Sequence, residues 1–152
     1  EQNKDVFDSW VKAINPRAIL LSGGNDVGDF SDRDIVENWL LDHAEQNSLP
    51  ALGICRGMQL MALRTGGKLE SLEGHVNTQH NLKGIIKGKV NSYHNQGLFK
   101  CPPKFRVLAH SEDGHIEAMR HESLPWEGWM WHPERDSVFS SRDVARLKSL
   151  FR

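Results

Sequence analysis

The pentapeptide Gly53-Ile54-Cys55-Arg56-Gly57 constrains the fold more than any other stretch of the chain. It overlaps an apolar run, Ala51-Leu52-Gly53-Ile54, that follows Pro50 and reads as a buried strand. Behind it, residues 58–64 are helix-forming until Gly66-Gly67 stops them. A strand that empties directly into a helix must turn sharply, and glycines two before and two after the central residue leave room for that turn. Upstream, residues 17–22 form another short apolar run that ends in Gly23-Gly24, again a buried strand entering a tight turn. Ser31-Asp32-Arg33-Asp34 has capping-box spacing, and Ile35, Val36, Trp39, Leu40 and Ala44 recur at helical intervals, which predicts a helix over about residues 32–46. Strand, helix, strand, helix implies parallel neighbours joined by helical crossovers.

The second half reads differently. Residues 90–94, 105–111, 115–120 and 128–132 are short, strand-like and separated by Gly, Pro and Asp-Gly signals, which predicts antiparallel additions or hairpins. Glu112-Asp113-Gly114 is the clearest turn. Ser140-Ser141-Arg142-Asp143 offers a second capping box, with Val144, Leu147 and Phe151 behind it, so a helix should close the chain. At the start, Val6, Phe7, Trp10, Val11 and Ile14 read as one amphipathic helix. No repeat or low-complexity linker interrupts the 152 residues, a length that suits a single domain over 1–152.

Composition narrows the function classes. Nineteen Lys and Arg against twenty Asp and Glu give a formal charge of -1, so no overall basic field is available to hold phosphate backbones, and nucleic acid is not expected as a partner. No apolar run approaches the ~20 residues of a membrane span. The two cysteines, Cys55 and Cys101, cannot build a multi-bridge scaffold; together with a start that resembles neither a secretory signal nor a transit peptide, they point to a reduced, cytoplasmic setting.

Chemistry concentrates at Cys55. The elbow would hold its thiol out of the sheet edge, the following helix N-terminus should favour thiolate, and the backbone N–H of Arg56 could donate to a developing oxyanion. From the pentapeptide alone, a buried structural cysteine flanked by packing glycines fits as well. A thiol nucleophile needs a His base and the base needs an orienting group. Trp131-His132-Pro133-Glu134-Arg135 supplies both, because in extended backbone His132 and Glu134 face the same side and Pro133 stiffens the link. Of the other histidines, His43 falls in a helix and His110, His115 and His121 lie among polar turn residues. His75 and His80 are five apart, with no Cys and with Glu73 the only close carboxylate, a weak metal signal that leaves no metal site expected. Trp126, Trp129 and Trp131 are read as packing.

Four segments in order, Ser22-Gly23-Gly24-Asn25-Asp26, Gly53-Ile54-Cys55-Arg56-Gly57-Met58-Gln59, Asn91-Ser92-Tyr93-His94-Asn95-Gln96 and Trp131-His132-Pro133-Glu134, resemble the motifs of γ-glutamyl hydrolases of the class I glutamine amidotransferase type. The resemblance covers about residues 14–135, with Ile116-Glu117-Ala118 as a secondary match. It implies an α/β, flavodoxin-like, mostly parallel sheet flanked by helices, with antiparallel additions in the C-terminal half. It also implies Cys55 as nucleophile, His132 as base and Glu134 as its orienter, with Gly24 and Arg56 N–H groups as oxyanion hole. Substrate contacts carry over to Gln59 and to Asn91, Ser92, Tyr93 and His94. No metal or organic cofactor is implied, a small γ-glutamyl compound is the expected partner, and a homodimer is left open. Family members usually carry a strand, a helix and a second strand ahead of the Ser-Gly-Gly turn, so a first βαβ unit is expected to be missing from this chain.

In motif detail, Cys55-Arg56-Gly57, the short connection after Asp26 and Asn91-Ser92-Tyr93-His94-Asn95 look most like the γ-glutamyl-CDP-amidate hydrolases, with Arg56, Arg135, Lys83 or Lys87 as cations for a pyrophosphate. Hydrolysis of γ-glutamyl polyamines or γ-glutamyl-γ-aminobutyrate, a glutaminase that delivers ammonia to a synthase, and a catalytically silent binding protein of the same fold are the alternatives.

Overall fold

The computed structural model describes residues 2–152. An amphipathic helix α1 (Gln2–Ile14) leads into strand β1 (Ile19–Leu21), helix α2 (Ser31–Gln46), strand β2 (Ala51–Ile54) and helix α3 (Arg56–Arg64). This is the alternation expected from the apolar periodicity. Strands β3 (Glu70–Ser71), β4 (Val76–Gly84), β5 (Gly88–Tyr93), β6 (Gln96–Gly97), β7 (Phe105–His110), β8 (Ile116–His121) and β9 (Trp126–Trp129) follow. A 3-10 turn over Pro133–Arg135 and helix α4 (Ser141–Leu150) complete the chain.

Seven strands form one sheet in the order β1-β2-β9-β8-β7-β4-β5, and β3 and β6 pair separately. β1, β2 and β9 run parallel, with Leu21 opposite Gly53 and Ile54 opposite Trp129. From β9 outward the neighbours are antiparallel, the additions anticipated for the C-terminal half. Every residue of β2 and β9 is buried. Helices cover the two faces of the parallel part: a Cβ placed on Gly128 would meet Met58 of α3 at 2.7 Å, whereas its neighbour Glu127 is clasped by Arg146 of α4 at 2.8 Å. Adjacent strand residues point to opposite faces, so one strand carries both helix layers.

Two local readings are corrected. Ser31 lies inside α2, Phe30 precedes it without any side-chain cap, and the Asp34 carboxylate accepts the N–H of Gly28 at 2.8 Å instead of closing a capping box. By contrast Ser140 does cap α4, its Oγ accepting from the Asp143 N–H at 3.1 Å. β4 is a strand with no counterpart in the sequence reading, since only His80 and Leu82 of its nine residues are buried and an apolar alternation never develops. As anticipated, the tryptophans are core: Trp126, Trp129 and Trp131 are at most 2% exposed, and the last two rings stack at 5.2 Å.

Candidate active site

The carboxyl ends of three adjacent parallel strands meet at one edge of the sheet, the place where open α/β sheets position their ligand sites. β1 ends in Ser22-Gly23-Gly24, β2 in Cys55, and β9 leads through Met130 and Trp131 to His132. The turn at Cys55 is strained, with φ 48° and ψ -102°, a left-handed conformation that costs a non-glycine residue of order 1–3 kcal/mol. Hydrogen bonds hold it there: Cys55 N–H donates to Trp129 C=O at 2.7 Å, and Gln59 N–H donates to Cys55 C=O at 3.0 Å. The flanking glycines have distinct jobs. A Cβ on Gly53 would lie 2.5 Å from the Gly57 carbonyl carbon, and one on Gly57 would lie 2.4 Å from Leu21 O. Gly53 thus lets α3 start directly on top of β2, and Gly57 lets α3 pass against the end of β1.

Cys55 is 6% exposed, and burial raises its thiol to about 11 from an ordinary 9.0, despite an opposing hydrogen bond from the Arg56 backbone N–H and the positive charge of Arg135. This corrects the expected thiolate: desolvation outweighs the helix N-terminus, and Glu117 and Glu134 add in the same direction. The sulfur rests protonated and needs a base to become a nucleophile.

His132 follows β9, the strand paired with β2, whose end carries Cys55. Its ring is packed so tightly on Gly23 that a Cβ there would fall 2.5 Å from Cε1. Glu134 Oε1 lies 2.6 Å from His132 Nδ1, although Pro133–Arg135 form a 3-10 turn and not the extended link anticipated. With Nδ1–H donating to Glu134, Nε2 carries the lone pair. Asn91 fixes the His132 backbone from both sides, its Nδ2 donating to His132 O at 2.7 Å and its Oδ1 accepting from His132 N at 2.9 Å, with a further bond to Asp136 at 2.8 Å.

Of the residues assigned to substrate by resemblance, most have their side chains engaged elsewhere. Asn91 serves His132 as above. Gln59 is 2% exposed and donates to Gln96 O at 2.9 Å; Ser92 is fully buried and donates to His75 O at 2.6 Å. His94 is buried among other histidines. Tyr93 lies beside the His132 ring, which it meets edge-on at 6.0 Å, with the Arg135 guanidinium 4.2 Å over its own ring. Gly24, at φ 152°, sits where a Cβ would meet the Arg33 guanidinium at 2.2 Å. Arg33 in turn donates to Ser22 O and Gly23 O, both at 3.1 Å, and so sets the turn that carries the Gly24 N–H.

Arg56 is the largest departure from the sequence reading. Its side chain is not a cation for a pyrophosphate: it is 1% exposed and forms ion pairs with Asp34 and Glu37 of α2. Arg33 joins Glu37 at 2.8 Å, so two guanidiniums and two carboxylates bind α2 to the elbow. Arg135 lies over Tyr93 and its charge acts on Cys55, while Lys83 and Lys87 are exposed. Sequence spacing carries no sign that helix α2 holds the partners of Arg56, because nineteen and twenty-two residues separate them. No helix among the described residues is long and apolar enough to cross a membrane.

Comparison with known proteins agrees with this fold. The family model for glutamine amidotransferase class I matches residues 1–148. A glutamine-hydrolyzing GMP synthase subunit from Thermococcus kodakarensis is 33% identical over 146 residues, covering 90% of this chain and 76% of that one. A γ-glutamyl-CDP-amidate hydrolase from Campylobacter jejuni is 32% identical over 136 residues, covering 86% and 68%. Among solved structures, one described as a GMP synthase subunit from Thermoplasma acidophilum superposes with a TM-score of 0.76 at 18% identity, over 97% of this chain and 76% of that one. The chain therefore belongs to the class I glutamine amidotransferase family.

Proposed function

We propose that the chain hydrolyses the side-chain amide of a γ-glutamyl group by covalent catalysis at Cys55. The observation that carries this reading is the convergence of a strained, buried Cys55 and a Glu134-oriented His132 at the carboxyl ends of β2 and β9. Nε2 of His132 accepts the thiol proton as sulfur attacks the γ-carbonyl carbon. The resulting oxyanion is received by the backbone N–H groups of Arg56 and Gly24. The C–N bond then breaks, His132 returns its proton to the departing nitrogen, and a γ-glutamyl thioester remains on Cys55. Water, deprotonated by the same imidazole, attacks the thioester, releases glutamate and restores the thiol. Burial of the thiol suits this cycle, because it couples sulfur ionisation to the presence of substrate and base and leaves the resting enzyme unreactive.

Two leaving groups fit the reaction. Ammonia passed to a synthase is supported by the likeness to glutamine-hydrolyzing GMP synthase subunits, among them one from Methanothrix thermoacetophila that is 40% identical over 134 residues. Cytidine diphosphoramidate from γ-glutamyl-CDP-amidate is supported by motif detail and by the Campylobacter jejuni relative, with Arg135 beside Tyr93 as a cation at the cleft. The burial of Arg56 withdraws one argument for the second. The test is glutamate release from L-glutamine and from a panel of γ-glutamyl amides including γ-glutamyl-CDP-amidate, by the wild type and Cys55→Ala. Release that disappears with the thiol supports the reaction, and the preferred amide identifies the leaving group. A folded chain that releases no glutamate from any of them, or a Cys55→Ala chain that still does, refutes it.

A further inference from the structure

Three imidazoles and one carboxylate converge between the β4–β5 hairpin and β8. His75 immediately precedes β4, His80 lies within it, His94 follows β5 and Glu117 comes from β8. Their ligating atoms lie within 4.8 Å of one another. Glu117 Oε1 is 3.8 Å from His75 Nδ1, 3.9 Å from His80 Nε2 and 3.6 Å from His94 Nε2. Glu117 is fully buried, and neither of its oxygens has a hydrogen-bond partner among the described residues; the three facing imidazole nitrogens are likewise unpartnered. An isolated carboxylate in such a place costs several kcal/mol unless something compensates it.

From this arrangement we infer a zinc-class divalent metal site formed by His75, His80, His94 and Glu117. Four ligands tetrahedrally placed at about 2.0–2.1 Å from Zn²⁺ stand about 3.4 Å apart, so the three separations from Glu117 need to close by only a few tenths of an ångström, and the ligand atoms, all within 4.8 Å of one another, draw together around one ion. The outer shell is already arranged for ligation. His75 Nε2 donates to Asp113 Oδ2 at 2.7 Å, leaving Nδ1 as the lone-pair nitrogen that faces Glu117. His94 Nδ1 donates to Gln96 O at 3.0 Å, leaving Nε2 to face the same oxygen. Both tautomers are thus set by neighbours that are not ligands. Three imidazoles select zinc, cobalt or nickel over magnesium and calcium, which require oxygen donors. With no ligand position left for water, the site is structural: it ties the β4–β5 hairpin, which carries Asn91 and Tyr93, to β8.

The test uses the whole chain purified without a polyhistidine tag, in wild-type and Cys55→Ala forms, so that metal content is read independently of hydrolysis. Elemental analysis after dialysis should find one zinc per chain in both, and Co²⁺ added to chelator-stripped protein should give the intense visible bands of a tetrahedral site. Asp113→Asn, at a half-exposed position, should weaken Zn²⁺ binding about 10–100-fold while the chain stays folded, and His80→Gln should abolish stoichiometric binding. Folded wild type that retains no zinc and leaves Co²⁺ with its aqueous spectrum overturns the site. So do Asp113→Asn and His80→Gln chains that bind as tightly as wild type, since the ion would then sit elsewhere. If His80→Gln does not fold, the cobalt titration of wild type decides alone.

Discussion

Burial of Cys55 makes a quantitative claim about its chemistry that a change of pH can test. A thiol at about 11 in place of 9.0 has a thiolate fraction about a hundredfold smaller at any pH below 9, roughly one molecule in 10,000 at pH 7. In a Cys101→Ser background, which leaves Cys55 as the sole cysteine, alkylation by iodoacetamide should therefore be slow at neutral pH and should rise with an inflection near 11. The same displacement acts on stability. Between pH 9 and 11 the unfolded chain has released this proton while the folded chain keeps it, so stability falls as pH rises, by up to about 2.7 kcal/mol in total from this group. Cys55→Ala should remove that component of the alkaline loss. Rapid alkylation at pH 7 with an inflection below the ordinary thiol value would overturn this account: it would mean that the helix N-terminus, or a resting ion pair with His132, outweighs desolvation.

Three further outcomes are expected. Gly57→Ala places a methyl 2.4 Å from Leu21 O, a backbone atom that cannot rotate away, and should cost about 1–3 kcal/mol in urea unfolding while displacing the elbow, so that glutamate release falls further than stability. Asn91→Ala removes the clasp on the His132 backbone; about 2 kcal/mol of stability and at least a tenfold loss of kcat are expected, with KM changing less, because the residue positions the base and its side chain is committed to it. Glu37→Ala strands part of the charge of buried Arg56, and since Asp34 still holds the other nitrogen the loss should be about 2–3 kcal/mol in thermal or urea unfolding, short of the about 3–5 kcal/mol of an ion left with no partner.

The features legible along the chain are local or periodic ones. The βαβα order of the first half follows from apolar runs alternating with helical spacing, and the elbow follows from two glycines whose need for space shows directly in the close approach of Gly57 to Leu21. The pairing of His132 with Glu134 was legible because the two are near neighbours, although the bond is made across a 3-10 turn and the expected extended geometry was wrong. Other assignments waited on packing between distant segments. Arg56 reads as an available cation until α2 folds over it and supplies two carboxylates; Asn91 reads as a substrate contact until β5 is laid beside His132. His75 and His80 make a poor metal pair on spacing, because their complement comes from His94 and from Glu117, thirty-seven residues beyond His80 and on a strand that sequence separation does not connect to β4. Desolvation of Cys55 is likewise invisible in a pentapeptide, since it is the sum of what every other element excludes from the sulfur, and burial of that kind is a property of the assembled sheet and helices, not of any segment.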